Sequence, residues 1–362
     1  MSDVRTLLTA AMADDPTRRE GFEARVRKRE TWARELSDAD TELEDWDLSL
    51  SAADDLVNEV LGLAITRLLR DRGVEMVSFA AGEGLLAELA GRAGVPPLIL
   101  GQTQRFESID HTRATVSLRF PGTRIWELPF LGHEFGHHAT TQLRHRDPPL
   151  ADRRPLQEVR ETVTTSLTTQ GTPSASAPAH ASELLADCVG TTACGPVLAV
   201  ACLCLRVPAP AAARASSPTH PSWYDRVAAM RAALNALSDV TGLERYRQQR
   251  VTVIDPLATQ VLGEVPVPTS SVKQAAQLVV ATITTHRPTL VYQGADEAIR
   301  VRDGLDGTVP VLPSLTSVRA IVDGVWRWRL AQSDRQSDNA AAALALDYCD
   351  QVITGAAHER ST

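Results

Sequence analysis

Apolar positions recur with a helical period along most of this chain, and that pattern predicts a mostly helical protein. Residues 17–37 form a highly charged helical stretch, and residues 51–71 set Leu56, Val60, Leu63, Ala64 and Leu68 on one face of a second. The sequence "AAGEGLLAELAGRAGVPP", residues 80–97, reads as a helix halted by its prolines. Two short runs then lose the helical period. "LILG" and "ATVSLRF", residues 98–101 and 114–120, have strand character, and Pro121-Gly122 marks a turn after the second. A further helix is expected at about 155–169, and the Ser-, Pro- and Ala-rich residues 170–182 predict a flexible loop after it. Past residue 240 the helical period returns in "SSVKQAAQLVVATITTHR" and "SLTSVRAIVDGVWRWRLAQ", interrupted by proline-containing loops at 264–268 and 308–313. The pattern gives a mostly α protein with a small β-sheet, in three consecutive parts. These are an acidic N-terminal helical region (1–75), a central core (76–240) and a C-terminal helical region (241–362), with no internal repeat.

Composition removes several alternatives. With 362 residues, 43% hydrophobic and 23% charged, the chain can bury a sizeable core, so disorder is not the default. Its net charge of −8 resides in residues 1–60, which carry sixteen acids against eight basic residues, leaving the remainder balanced. No basic stripe exists, and a nucleic-acid partner is not expected. Four of the five cysteines lie in one apolar run, and no CxxC pair occurs, so neither a disulfide framework nor a cysteine zinc knuckle is expected. The first twenty residues are too acidic and too weakly apolar for a signal peptide, which makes a cytoplasmic location the expectation. The uncharged run 188–205 approaches the length of a membrane span. Gly190, Thr191, Thr192, Gly195 and Pro196 crowd its first half, so a buried helix kinked near Gly195-Pro196 is the simpler expectation.

The chemistry concentrates in "LPFLGHEFGHHATTQL", residues 128–143. His133, Glu134 and His137 fit H-E-x-x-H, in which two histidines four apart present both rings to one side of a helix and can share a zinc ion. Glu134 lies about 100° round the helix from His133, placed to reach water at the metal without ligating it. His138 points about 100° from its neighbour and stays outside the ligand set. Hydrolytic zinc takes three protein ligands, and the third is expected from "SELLADCVG", residues 182–190. There Glu183 and Asp187 share one face, Glu183 as ligand and Asp187 holding the outer nitrogen of His133. In "SPTHPSWYDRVAAM", residues 217–230, Pro221 suits the first position of a helix, with His220 at its mouth and Arg226 inside. His111, His145, His180, His286 and His358 have no partner spacing and are expected on surfaces or loops.

Taken in order, H-E-x-x-H, E-x-x-A-D (Glu183, Ala186, Asp187) and H-P followed by Arg226 resemble the zinc endopeptidase family that includes the CAAX prenyl endopeptidases and the HtpX-type membrane proteases. The resemblance covers roughly residues 95–240. It implies an α+β, zincin-like metallopeptidase core of the gluzincin type: zinc held by His133, His137 and Glu183, Glu134 as general base, and His220 as donor to the oxyanion with Arg226 assisting or orienting it. His220 also has the position of a latch on the metal. The strand "ATVSLRF" is a candidate to pair with an extended peptide substrate. The flanking helical regions, which match no pattern of the family, are candidate partner-binding surfaces. Many relatives carry several membrane helices, so a membrane-embedded or prenylated substrate is not implied. Two other readings share the motif: a regulatory metalloprotease with one dedicated repressor target, and a non-catalytic, metal-stabilised binding module.

Overall fold

A computed structural model describes residues 77–103, 108–110, 115–119, 124–307, 317–332 and 338–359, together with scattered helical positions between Glu20 and Glu35 and Val57. The expected helix at 51–71 and the loop at 308–313 lie outside the described residues, apart from Val57. The chain is mostly helical and divides into two compact units, residues 1–76 with 99–123 and residues 77–98 with 124–362. The division differs from the three consecutive segments expected from the sequence, 1–75, 76–240 and 241–362.

In the first unit the described strands are β1 (Ile99–Thr103), β2 (Ser108–Asp110) and β3 (Thr115–Arg119), in the order β1-β3-β2. β3 runs parallel to β1, with Val116 opposite Leu100, and antiparallel to β2. The central position of β3 corrects the expectation that "ATVSLRF" receives a substrate strand. Over Thr115–Ser117 its backbone groups already have a neighbour on each side, and strand addition needs a free edge.

The second unit contains the H-E-x-x-H sequence. Its helices include α1 (Val77–Ala93), α2 (Pro129–Gln142), α3 (Pro155–Thr169), α4 (Ala177–Cys194) and α5 (Val197–Leu205). They continue with α6 (Trp223–Thr241), α7 (Asp255–Leu262), α8 (Ser270–His286), α9 (Ala295–Leu305), α10 (Val318–Ala331) and α11 (Asp338–Glu359). No boundary falls near residue 240. α6 packs on both α4 and α8, and Arg231 of α6 ties it to the segment 255–266, donating to the Asp255 carboxylate at 2.6 Å and to the Pro266 carbonyl.

α4 is the centre of this unit, touching α2, α3, α6 and α8. Every described residue from Leu184 to Leu203 is buried, as a helix apolar on all sides must be. It begins at Ala177, inside the stretch 170–182 expected as a loop, because Pro178 is tolerated in a first helical turn where its missing N–H has no partner to lose. It ends at Gly195, where φ is +76° and the Tyr292 ring leaves no room for a Cβ. Pro196 then opens α5, so the apolar run is two helices meeting at a bend. Among the described residues no helix is long and apolar enough to cross a membrane.

The crossing of α2 and α4 is a backbone contact. A Cβ on Gly136 would stand 2.5 Å from the Ala186 carbonyl oxygen and 2.7 Å from its Cα; one on Gly190 would stand 2.8 Å from the Gly132 oxygen. Small residues on both faces thus let the two axes approach closely. We predict that Gly136→Ala destabilises the fold by about 1–3 kcal/mol through overpacking and loosens the α2–α4 contact. Gly91→Ala, on an open helical face, should be neutral or stabilising by up to about 1 kcal/mol. Urea unfolding midpoints of the two variants test this; equal midpoints would show that the crossing tolerates a methyl group.

Candidate metal centre

The close crossing sets one face of α2 against one face of α4. His133 and His137 of α2 converge with Glu183 of α4, and these three form a group that can hold a metal ion. The two Nε2 atoms are 3.1 Å apart, and the Glu183 oxygens lie 3.4 Å from His133 Nε2 and 3.3 Å from His137 Nε2. Ligands about 2.0–2.1 Å from a tetrahedral ion stand about 3.3 Å from one another, so the spacing matches a shared ion.

The outer atoms of the rings say which atoms face that point. His133 Nδ1 lies 2.8 Å from the Asp187 carboxylate, an acceptor, and so carries the proton and donates it. His137 Nδ1 faces the Ser182 hydroxyl at 3.2 Å, which can accept likewise. Each Nε2 then offers a lone pair. Two lone pairs and a carboxylate this close need a cation between them, a proton or a metal ion.

Charge around the centre is balanced by Arg226 of α6. Its Nε and Nη2 reach the two Asp187 oxygens at 2.8 and 2.9 Å, and Nη1 lies 3.4 Å from Glu183. Trp223 covers the guanidinium at 4.5 Å. Arg226 therefore serves the two acids of α4 and makes no contact of this kind with His220, the partner expected from the sequence. α6 itself starts two residues later than expected, at Trp223: Ser222 is its cap, accepting from the Asp225 N–H while its hydroxyl donates to the Asp225 carboxylate, and Pro221 precedes the cap.

His220 stands at the rim, half-exposed, with Nε2 3.9 Å from Glu183. Its turn is closed by reciprocal bonds with Ser217, and the Thr219 hydroxyl lies 2.8 Å from its Nδ1. This turn is fastened from below by His180, whose Nε2 donates to the Ser217 carbonyl at 2.7 Å. His180 is buried, which corrects its expected surface position. Only its seven-residue lead over Asp187 hinted that it faces the site side of α4. Glu134 is 9% exposed and has no hydrogen-bond or ion-pair partner among the described residues. His138 is turned away, donating to the Pro96 carbonyl at 3.1 Å, and burial lowers its pKa. His145 and His286, apart in sequence, meet with tilted rings whose centres are 4.2 Å apart.

Burial opposes charge on His133, but the Asp187 carboxylate, joined by Glu183, outweighs it and pushes the imidazole up to about 10. Burial would raise both carboxyls. Arg226 and His133 hold Asp187 below its ordinary range, and the two imidazoles with Arg226 do the same for Glu183. Comparison of the chain with family models, curated proteins and solved structures found no match.

These shifts fix the signs of two pH effects. The raised His133 pKa stabilises the metal-free fold fully below its ordinary value near 6.5, and this contribution is lost as pH rises towards about 10. The depressed Asp187 and Glu183 values stabilise above the ordinary carboxylate range and are lost as pH falls below it. A metal ion must displace the His133 proton, so we expect binding at pH 7 to release about one proton and to tighten as pH rises. Calorimetry in buffers of different ionisation enthalpy reads this directly; no net proton release would contradict it. Asp187→Asn should weaken metal binding about 10–100-fold.

Proposed function

We propose that this protein is a zinc-dependent endopeptidase with a zincin-like core. The observation that carries the proposal is Glu134: a nearly buried carboxylate without a partner, one residue along α2 from a metal-ligating histidine. With no side-chain partner among the described residues its oxygens are free to take a proton from water, and a metal held only for structure has no use for such a group. The ligand count supports the same reading, because structural zinc closes four protein ligands, whereas this group has three among the described residues. Imidazole and carboxylate ligands suit zinc, without excluding other divalent ions.

Zinc in this group would supply Lewis acidity, polarising a carbonyl oxygen and lowering the pKa of water. The residues of the chain then divide the remaining work. Glu134 takes the proton from the attacking water and returns it to the departing amide nitrogen. His220, exposed at the rim, has the position from which an imidazole N–H can donate to the developing oxyanion. Asp187 fixes the tautomer of His133, and Arg226 holds Asp187 and Glu183 in place. Arg226 is thus a positioning residue in this reading, and a peptide or protein is the substrate class.

Glu134→Gln separates catalysis from metal binding. It should retain the metal at wild-type stoichiometry while peptide hydrolysis falls about 10²–10⁴-fold, measured on a denatured-protein or peptide-library substrate. A variant that keeps its metal and performs the protein's task unchanged would instead support a non-catalytic binding module.

A further inference from the structure

The segment that carries His220 is exposed and irregular. Arg214 ties its beginning down through Glu264 and the Tyr224 ring, and the chain is buried again only at Pro221 and Ser222, where the cap of α6 begins. Residues 215–220 between these points are all exposed and belong to no helix or strand. Such a stretch is mobile unless something holds it. Within it, the Ser217 hydroxyl accepts from the His220 N–H and the Ser217 N–H donates to the His220 carbonyl, both at 2.9 Å. These bonds close the turn upon itself without fixing where it stands.

His180 supplies the missing tie. It lies on α4 three residues before Glu183, so the two side chains share a face about one turn apart. The residue is 7% exposed, and its Nε2 lies 2.7 Å from the Ser217 carbonyl. A carbonyl only accepts, so Nε2 carries the proton and the bond has one direction. Polar side chains buried this far are normally there for a hydrogen bond, and this one reaches out of the helix to an exposed turn. The turn is thereby fastened to the helix that supplies a metal ligand. His220 sits between two fixed points, three residues after the held carbonyl and two before Ser222, with its Nε2 3.9 Å from Glu183.

We propose that His180 is a positioning residue: by holding the Ser217 carbonyl, it keeps the His220 imidazole at the rim of the His133, His137 and Glu183 group. The catalytic consequence rests on the peptidase reading, in which His220 donates to the oxyanion. Because His180 acts through His220, removing it can cost no more than removing His220 itself.

Two variants of the full chain, loaded with zinc, test this. His180→Phe keeps a ring in the buried space and removes the donor; His180→Gln keeps a donor, since its amide nitrogen stands the same number of bonds from the backbone as the imidazole Nε2. Backbone amide NMR relaxation should give order parameters for Ser217, Thr219 and His220 that fall below about 0.6 in His180→Phe and keep the wild-type value in His180→Gln, with zinc content unchanged in both. In peptide hydrolysis, His180→Phe should lose about 10–100-fold in kcat with KM unchanged, and His180→Gln should recover most of that loss. His180→Phe combined with His220→Ala should be no slower than His220→Ala alone. If the phenyl ring prevents folding, His180→Leu takes its place. Unchanged order parameters in the folded variant without the donor, or a double variant slower than His220→Ala by the full factor of the single change, would overturn the proposal. A wild-type protein that binds zinc and hydrolyses no peptide would overturn the peptidase reading, and the order parameters would still decide whether His180 holds the turn.

Discussion

The structure of the second unit depends on how closely α2 and α4 approach. Gly132 and Gly136 on one helix, and Ala186 and Gly190 on the other, leave so little room that backbone meets backbone. That approach brings ring nitrogens from α2 to within 3.4 Å of a carboxylate on α4. A methyl group at the crossing would push the axes apart, and a metal-ligand set tolerates little of that, since ligand distances are fixed within about 0.2 Å. The glycines therefore belong to the candidate site as much as His133, His137 and Glu183 do.

Burying this group requires a third helix. Four ionisable side chains, His133, Glu183, Asp187 and Arg226, meet in a largely buried region, and none would be tolerated there alone. α6 brings the guanidinium that neutralises the two acids, and Asp187 passes the constraint on to His133. Orientation thus runs from Arg226 through Asp187 to the ligand ring, fixing the nitrogen that faces the metal position. The buried run 184–203 gives this chain of contacts a rigid frame.

Much of this was legible in the sequence because the decisive spacings are local. Four-residue separations within one helix put His133 with His137 and Glu183 with Asp187, and no tertiary information is needed to see that each pair shares a face. Helices α3 and α8 follow from periodicity in the same way. The features that were not legible depend on partners distant in the chain. The role of Arg226 is set by which acids α4 presents, so the sequence led to His220 in their place. His180 lacks a spacing partner because its acceptor is a backbone carbonyl in another segment, which has no residue signature. The placement of β3 between two strands depends on pairing order, and the packing of α6 on α8, across residue 240, depends on surfaces distant in the chain.

We propose that His133, His137 and Glu183 jointly hold one metal ion. X-ray absorption at the zinc edge of the zinc-loaded protein tests it most directly. One zinc per chain with two imidazole ligands and only nitrogen or oxygen at about 2.0–2.2 Å is expected, with loss of that signature in Glu183→Ala. Sulfur in the coordination shell, a single imidazole, or an unchanged spectrum in the variant would contradict it.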